Sequence, residues 1–129
     1  MSNADEAREP LQGLRVLLVE DDPLICLDLE ASLAELGATV MAVSDVPAAL
    51  KIVAAATLDF AVLDFELGVE TSEPVARAAM NYGVPFLYLS GYSEHDERFA
   101  RWPNVAILVK PISAVTIARH IRAALNERH

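Results

Sequence analysis

The sequence predicts an α/β fold, a parallel sheet of five strands with helices over both faces. Three observations carry this. Short apolar runs alternate with helical patterns along the 129 residues, the signature of repeated βαβ units. The runs are nearly continuous in apolar residues, as strands covered on both faces are. Four runs break off at Glu20, Asp64, Ser90 and Lys110, and ligands of open α/β sheets bind outside those carboxyl ends.

In chain order, residues 1–12 are mostly polar and are expected to form a flexible tail ahead of one domain over 13–129. Residues 14–19 form the first strand, which ends in Glu20, Asp21 and Asp22. Pro23 suits a first helical turn, and the acids before it face the positive end of the helix dipole. Leu24, Ile25, Leu27, Leu29, Leu33 and Leu36 recur at near-helical spacing until Gly37 stops the run. Residues 39–43 form the second strand. Ser44, Asp45 and Pro47 open a helix that runs to about residue 56. Phe60, Ala61, Val62 and Leu63 form the third strand and lead into Asp64. A third helix over 72–82 has Pro74 in its first turn and Gly83 at its close. Residues 85–89 form a strand ending in Ser90 and Gly91. Residues 94–100 make a short, weakly specified fourth helix. Residues 105–109 form a strand ending in Lys110 and Pro111, and Ser113 caps a last amphipathic helix. Five strands suit the flavodoxin-like order 2-1-3-4-5, a doubly wound (βα)5 sheet with right-handed crossovers.

Composition narrows the function. Nineteen acids against ten bases give a net charge of −9, which argues against direct binding to nucleic acid or anionic lipid. No apolar run approaches the ~20 residues of a membrane helix, and no signal-peptide pattern opens the chain. A single cysteine, Cys26, allows no internal disulfide and suits a reducing cytoplasm. It lies in the apolar pattern of the first helix, which reads as packing. His95, His120 and His129 share no metal-ligand spacing, and Trp102 reads as core near the fourth crossover.

With the order 2-1-3-4-5, Glu20, Asp21, Asp64, Ser90 and Lys110 converge on one edge of the sheet. At ~4 Å and an effective dielectric of ~20, two carboxylates repel by on the order of 4 kcal/mol. Lys110 offsets part of that. A hard divalent cation held by oxygens offsets more, and Mg²⁺ is the natural one beside a phosphoryl group.

Glu20-Asp21, Asp64, Ser90-Gly91 and Lys110-Pro111, at these spacings, resemble the receiver domains of bacterial two-component response regulators, over essentially all of 14–128. The resemblance implies that Asp64 takes a phosphoryl group from a histidine kinase or phosphotransfer protein. It implies Mg²⁺ bound by Asp21 and Asp64, by Glu20 through water, and by the backbone carbonyl of Glu66. Ser90 and Lys110 would contact the phosphoryl oxygens, and the Lys110–Pro111 bond would be cis. Such a domain is a phosphoacceptor in a signalling relay, which catalyses only its own phosphorylation and dephosphorylation. Output would pass by protein contact, through the fourth helix–fifth strand–fifth helix face, or by onward phosphoryl transfer, with a weak dimer allowed. Residues 86–92 and 68–76 are similar to the stand-alone FAT GUY receivers, with Leu89 for Ala and Ser90 for Thr. Two usual receiver features are missing. No proline follows the phosphoacceptor closely, and Ile107 stands where Tyr or Phe is common.

Two rivals weigh less. A haloacid-dehalogenase-like phosphohydrolase would use Asp64 as nucleophile and Glu66 as its second acid, but such enzymes place accessory acids downstream. A nucleotide- or flavin-binding module would carry a glycine-rich phosphate loop, and none occurs.

Overall fold

Successive side chains of a strand point to opposite faces of its sheet, and here both faces are packed. The computed structural model describes residues 9–127. Its strands are β1 (Arg15–Val19), β2 (Thr39–Val43), β3 (Phe60–Asp64), β4 (Glu66–Leu67), β5 (Glu70–Thr71), β6 (Phe86–Ser90) and β7 (Ile107–Val109). Its α-helices are α1 (Pro23–Glu35), α2 (Val46–Ala55), α3 (Glu73–Asn81) and α4 (Ala114–Glu127). The main sheet runs β2-β1-β3-β6-β7, parallel throughout. Setting aside the two short strands β4 and β5, this is the expected order 2-1-3-4-5.

The alternation explains the unbroken apolar runs. Leu17, Val19, Ala61, Leu63 and Tyr88 meet Val46, Ala49 and Val53 of α2 and Val75, Ala76 and Ala79 of α3. Their sequence neighbours Val16, Leu18, Phe60, Val62, Leu87 and Leu89 meet Leu29 and Leu33 of α1 and Ile117, Ala118 and Ile121 of α4 on the other face. A polar residue anywhere inside β1 or β3 would enter one core or the other. The first tolerated place is the strand end.

The helices start where the sequence places them. Asp22 Oδ1 accepts from the N–H groups of Leu24 (2.9 Å) and Ile25 (3.2 Å), and Asp45 Oδ1 from that of Ala48 (2.9 Å). Ser113 Oγ accepts from the Thr116 N–H at 3.2 Å at the start of α4. After α1 the chain turns at Gly37, whose φ is +106°. A Cβ there would lie 2.7 Å from the Gln12 backbone nitrogen, so glycine is required both by the angle and by the close approach.

One expectation needs correction, and the structure adds features that the sequence did not signal. The segment taken as a fourth helix over 94–100 is a single 3-10 helix, Glu97–Arg101. Five residues are too few for a stable α-turn series on their own. They are pinned instead by Arg101, which binds the Glu73 carboxylate through Nη2 at 2.7 and 2.8 Å and through Nε at 3.0 Å. The region after β3 is a hairpin, with β4 antiparallel to β5 around Gly68 and Val69. Gly68 has φ +64°, at the first centre of a two-residue turn. Ser72 precedes α3, but its side chain makes no capping bond and is fully buried. At the amino end, the expected tail over 1–12 lies outside the described residues as far as residue 8. Leu11 within it is fully buried, and its N–H donates to the Leu36 carbonyl at 2.8 Å.

An aromatic layer fills the core beneath the 3-10 helix. The Tyr88 ring lies 5.0 Å from Phe65 and 5.6 Å from both Phe86 and Trp102, and Phe65 lies 4.6 Å from Phe99, all edge to face. Trp102 is buried in the core, and its indole N–H donates to Glu73 at 3.0 Å.

Candidate phosphoacceptor site

Register brings the strand ends together. Val19 pairs with Leu63, so Glu20 and Asp64 follow side by side. Asp64 pairs with Leu89, and Ser90 with Val109, so Ser90 and Lys110 come next along the same rim. The Lys110 N–H donates to the Ser90 carbonyl at 2.8 Å, and the Lys110–Pro111 bond is cis. The five residues singled out from sequence at these strand ends therefore share one edge.

Glu20 and Asp64 are buried, 1% and 2% exposed, whereas Asp21 is open to solvent. Two buried carboxylates side by side need compensation. Lys110 Nζ supplies part of it, donating to Glu20 Oε1 at 2.8 Å and standing 3.1 Å from Asp64 Oδ1. Burial foremost, and then the adjacent Glu20, push the Asp64 carboxyl up to about 8 against the opposing pull of Lys110. Burial would raise Glu20 as well. The neighbouring Asp64 carboxyl, the Lys110 ammonium and the Asp22 N–H outweigh that and hold it below the usual carboxylate range. Burial works against the Lys110 ammonium, and the two acids hold it above its ordinary value. The rim is short of positive charge.

One oxygen each of Glu20, Asp21 and Asp64 lies within 4.8 Å of the other two. Asp64 Oδ1 is buried and, despite the nearby ammonium, has no hydrogen bond among the described residues. Hard oxygens converging on an unbonded buried carboxylate oxygen fit a small divalent cation such as Mg²⁺. Asp22 is engaged elsewhere as the cap of α1.

The β6 side of the rim is different in kind. Ser90 Oγ is fully engaged: it donates to the Glu66 carboxylate, 3.0 Å from Oε2 and 3.3 Å from Oε1, and accepts from the Tyr92 N–H at 3.0 Å. The Gly91 N–H donates to Glu66 Oε1 at 3.0 Å. Arg98 Nη2 reaches Glu66 Oε2 at 3.4 Å, while its Nε and Nη2 bind Asp96 at 3.0 and 3.2 Å. The Arg98 guanidinium also stands over the rings of Phe65 (4.9 Å) and Tyr92 (5.3 Å). Sequence reasoning singled out Glu66 for its backbone carbonyl and, in the phosphohydrolase alternative, as a second acid, and it missed both the side-chain bonds to Ser90 and Gly91 and the role of Arg98. No spacing rule connects residues 24 and 32 positions apart, so the sequence held no signal for either.

Cys26 is half-buried against the α1 core face, and burial pushes its thiol up, as packing rather than reactivity requires. His95 and His120 are exposed, and His129 lies outside the described residues. Among the described residues no helix is long and apolar enough to cross a membrane.

No family model matches the sequence, and a search of curated proteins finds no match. Solved structures do match. A response regulator receiver protein from Sinorhizobium medicae is 28% identical, covering 92% of this chain and 99% of its own, with a TM-score of 0.81. SdrG from Sphingomonas melonis is 33% identical, covering 85% of this chain and 96% of its own, with a TM-score of 0.70. The chain belongs to the response-regulator receiver family. TrrA from Thermotoga maritima, a response regulator protein solved in complex with Mg²⁺ and BeF, shares this receiver's fold at 22% identity and a TM-score of 0.74, over 85% of this chain and 97% of its own. Receivers are signalling domains rather than turnover enzymes, and the haloacid-dehalogenase reading gains no support from these comparisons.

Proposed function

We propose that this receiver accepts a phosphoryl group on Asp64 from the phosphohistidine of a histidine kinase or phosphotransfer protein. The observation that carries the reading is Asp64 Oδ1, buried, free of hydrogen bonds and 3.1 Å from the Lys110 ammonium. A carboxylate oxygen attacks phosphorus in line as the P–N bond to the donor imidazole breaks, and the bond's electron pair leaves with that imidazole. Such transfer is mostly positioning and charge stabilisation. Lys110 meets charge on the phosphoryl oxygens, and the Ser90 hydroxyl donates to another of them. Asp21, Asp64, Glu20 through water and the Glu66 carbonyl would hold Mg²⁺, which neutralises phosphoryl oxygen charge when bound. Water later attacks phosphorus at the same site and regenerates the Asp64 carboxylate.

The reading takes residues 13–129 as one receiver domain in the cytoplasm, with the lone cysteine as support for that location. Residues 86–92 support placing it with the stand-alone FAT GUY type. Output then passes by protein contact or onward phosphoryl transfer. The contact face would be the 3-10 helix, β7 and α4, with weak dimerisation there as one use of it.

The test is covalent. Incubation with acetyl phosphate and Mg²⁺ is expected to add one phosphoryl group per chain, released by hydroxylamine and mapped to Asp64 by peptide mass. A hydroxylamine-stable adduct, or one mapped elsewhere, would refute the reading.

A further inference from the structure

Resting on that phosphoacceptor reading, we propose that the Glu66 carboxylate is an internal competitor for the phosphoryl group, seated by Arg98. A hydroxyl has one proton to donate. Ser90 gives its proton to Glu66, and its oxygen already accepts from the Tyr92 N–H. The adjacent backbone donor, the Gly91 N–H, is also spent on Glu66. The two donors that end β6 thus hold the two oxygens of one carboxylate, as they would hold two oxygens of a tetrahedral anion. A phosphoryl group on Asp64 gains the Ser90 proton only if Glu66 lets go.

Glu66 is in turn tied to the 3-10 helix. Arg98 reaches it at 3.4 Å while anchored by Asp96 and flanked by the Phe65 and Tyr92 rings. Arg98 is therefore a positioning residue, acting through Glu66. Displacement of Glu66 breaks the link between the rim and Glu97–Arg101. That gives the site a direct mechanical connection to the segment that replaces an α-helix here. The coupling is reciprocal: a partner that draws Arg98 away frees the Ser90 proton and favours phosphorylation.

The experiment is a double-mutant cycle read by calorimetric titration of beryllofluoride in Mg²⁺, with wild type, Glu66→Ala, Ser90→Ala and the double variant. A hydrogen bond to a charged group is worth roughly tenfold or more in binding. Glu66→Ala is therefore expected to tighten binding by on the order of tenfold, and the gain is expected to shrink severalfold in the Ser90→Ala background. An equal gain in both backgrounds means simple charge repulsion and overturns the proposal, as does no gain. The second readout is the Arg98 Nε–H resonance. It is expected to shift with beryllofluoride in wild type and to stay still in Glu66→Ala; an equal shift in both overturns the tether. Absence of Mg²⁺-dependent binding in every variant would instead refute the phosphoacceptor reading itself, and the competitor with it.

Discussion

The two sides of the Asp64 rim solve opposite electrostatic problems. At the ends of β1 and β3, two buried carboxylates share one lysine, and an Asp64 oxygen is left without a hydrogen bond. At the end of β6, the Ser90 hydroxyl, the Gly91 N–H and Arg98 all donate to one carboxylate, and the Tyr92 N–H is taken up by Ser90 Oγ. The first side has an excess of acceptors and gains from an incoming cation. The second is already satisfied, so an incoming anion must break bonds there before it makes any. Poise for binding thus comes from shortage on one side and from self-occupation on the other.

The comparison breaks first at Asp64. Asp64→Asn is expected to abolish phosphoryl uptake from acetyl phosphate in intact-mass measurements. The same variant should melt higher than wild type without Mg²⁺, because it removes one of two mutually repelling buried acids. A lower melting point would show that the acidic side is not short of charge compensation.

Lys110→Ala is next. It leaves Glu20 and Asp64 buried with no ammonium, at a cost of about 2 kcal/mol once proton uptake and partial exposure soften the loss of a buried pair. Urea unfolding with and without Mg²⁺ checks it. Mg²⁺ should stabilise this variant more than it stabilises wild type, and equal increments would count against a charge-starved rim.

Glu73→Gln tests the support behind the other side. It loosens the Arg101 and Trp102 bonds that pin the 3-10 helix, at about 1–2 kcal/mol, most of it from the sheltered Trp102 bond because Arg101 is exposed. Burial would raise the Glu73 carboxyl, but the Trp102 and Arg101 bonds outweigh it and hold it below the usual range. A carboxyl lowered on folding contributes stability that is complete above its unfolded value and lost as pH falls through its folded value. The gap between variant and wild type should therefore be full at neutral pH and close below about pH 4. A gap that widens in acid would contradict this.

Asp21 and Asp22 sharpen the acidic side. Asp22→Ala should cost about 1 kcal/mol of stability as a lost helix cap while nearly keeping Mg²⁺ affinity. Asp21→Ala should do the reverse, since its exposed carboxylate caps nothing and belongs to the cation cluster. Paired melts and Mg²⁺ titrations separate the two.

Gly91→Ala should change stability by no more than about 0.5 kcal/mol. Its φ lies outside the left-handed region, and a Cβ would meet nothing nearer than Glu66 Oε1 at 3.9 Å. A large loss in thermal denaturation would mean that the β6 side depends on glycine itself rather than on its N–H.

What the sequence made legible follows from burial on two faces. β1 and β3 could only be apolar inside and polar at their ends, so Glu20, Asp64 and the strand order were readable before any coordinates. The hairpin at Glu66–Thr71 was not, because two-residue strands are too short to show a period, and Gly68 alone marks the turn. Residues 97–101 read as a weak helix because the bonds from Arg101 and Trp102 to Glu73 are long-range and leave no local pattern. Leu11 was hidden as a single apolar residue in a polar stretch, buried only because Gly37 lets the chain pass close beneath it. The Glu66–Ser90 bond joins the start of β4 to the end of β6 through tertiary structure alone.

An open sheet has two rims of unpaired backbone groups, and they are guarded unequally. The β7 rim is three residues long and is followed within two residues by Pro111, which offers no N–H, so a foreign strand finds little to extend. The β2 rim is five residues long, and Thr39-Val40-Met41-Ala42-Val43 contains neither a charge nor a proline. Unwanted strand pairing, when heat or crowding loosens the helices, has its template there, at the end of the sheet furthest from the 3-10 helix and β7.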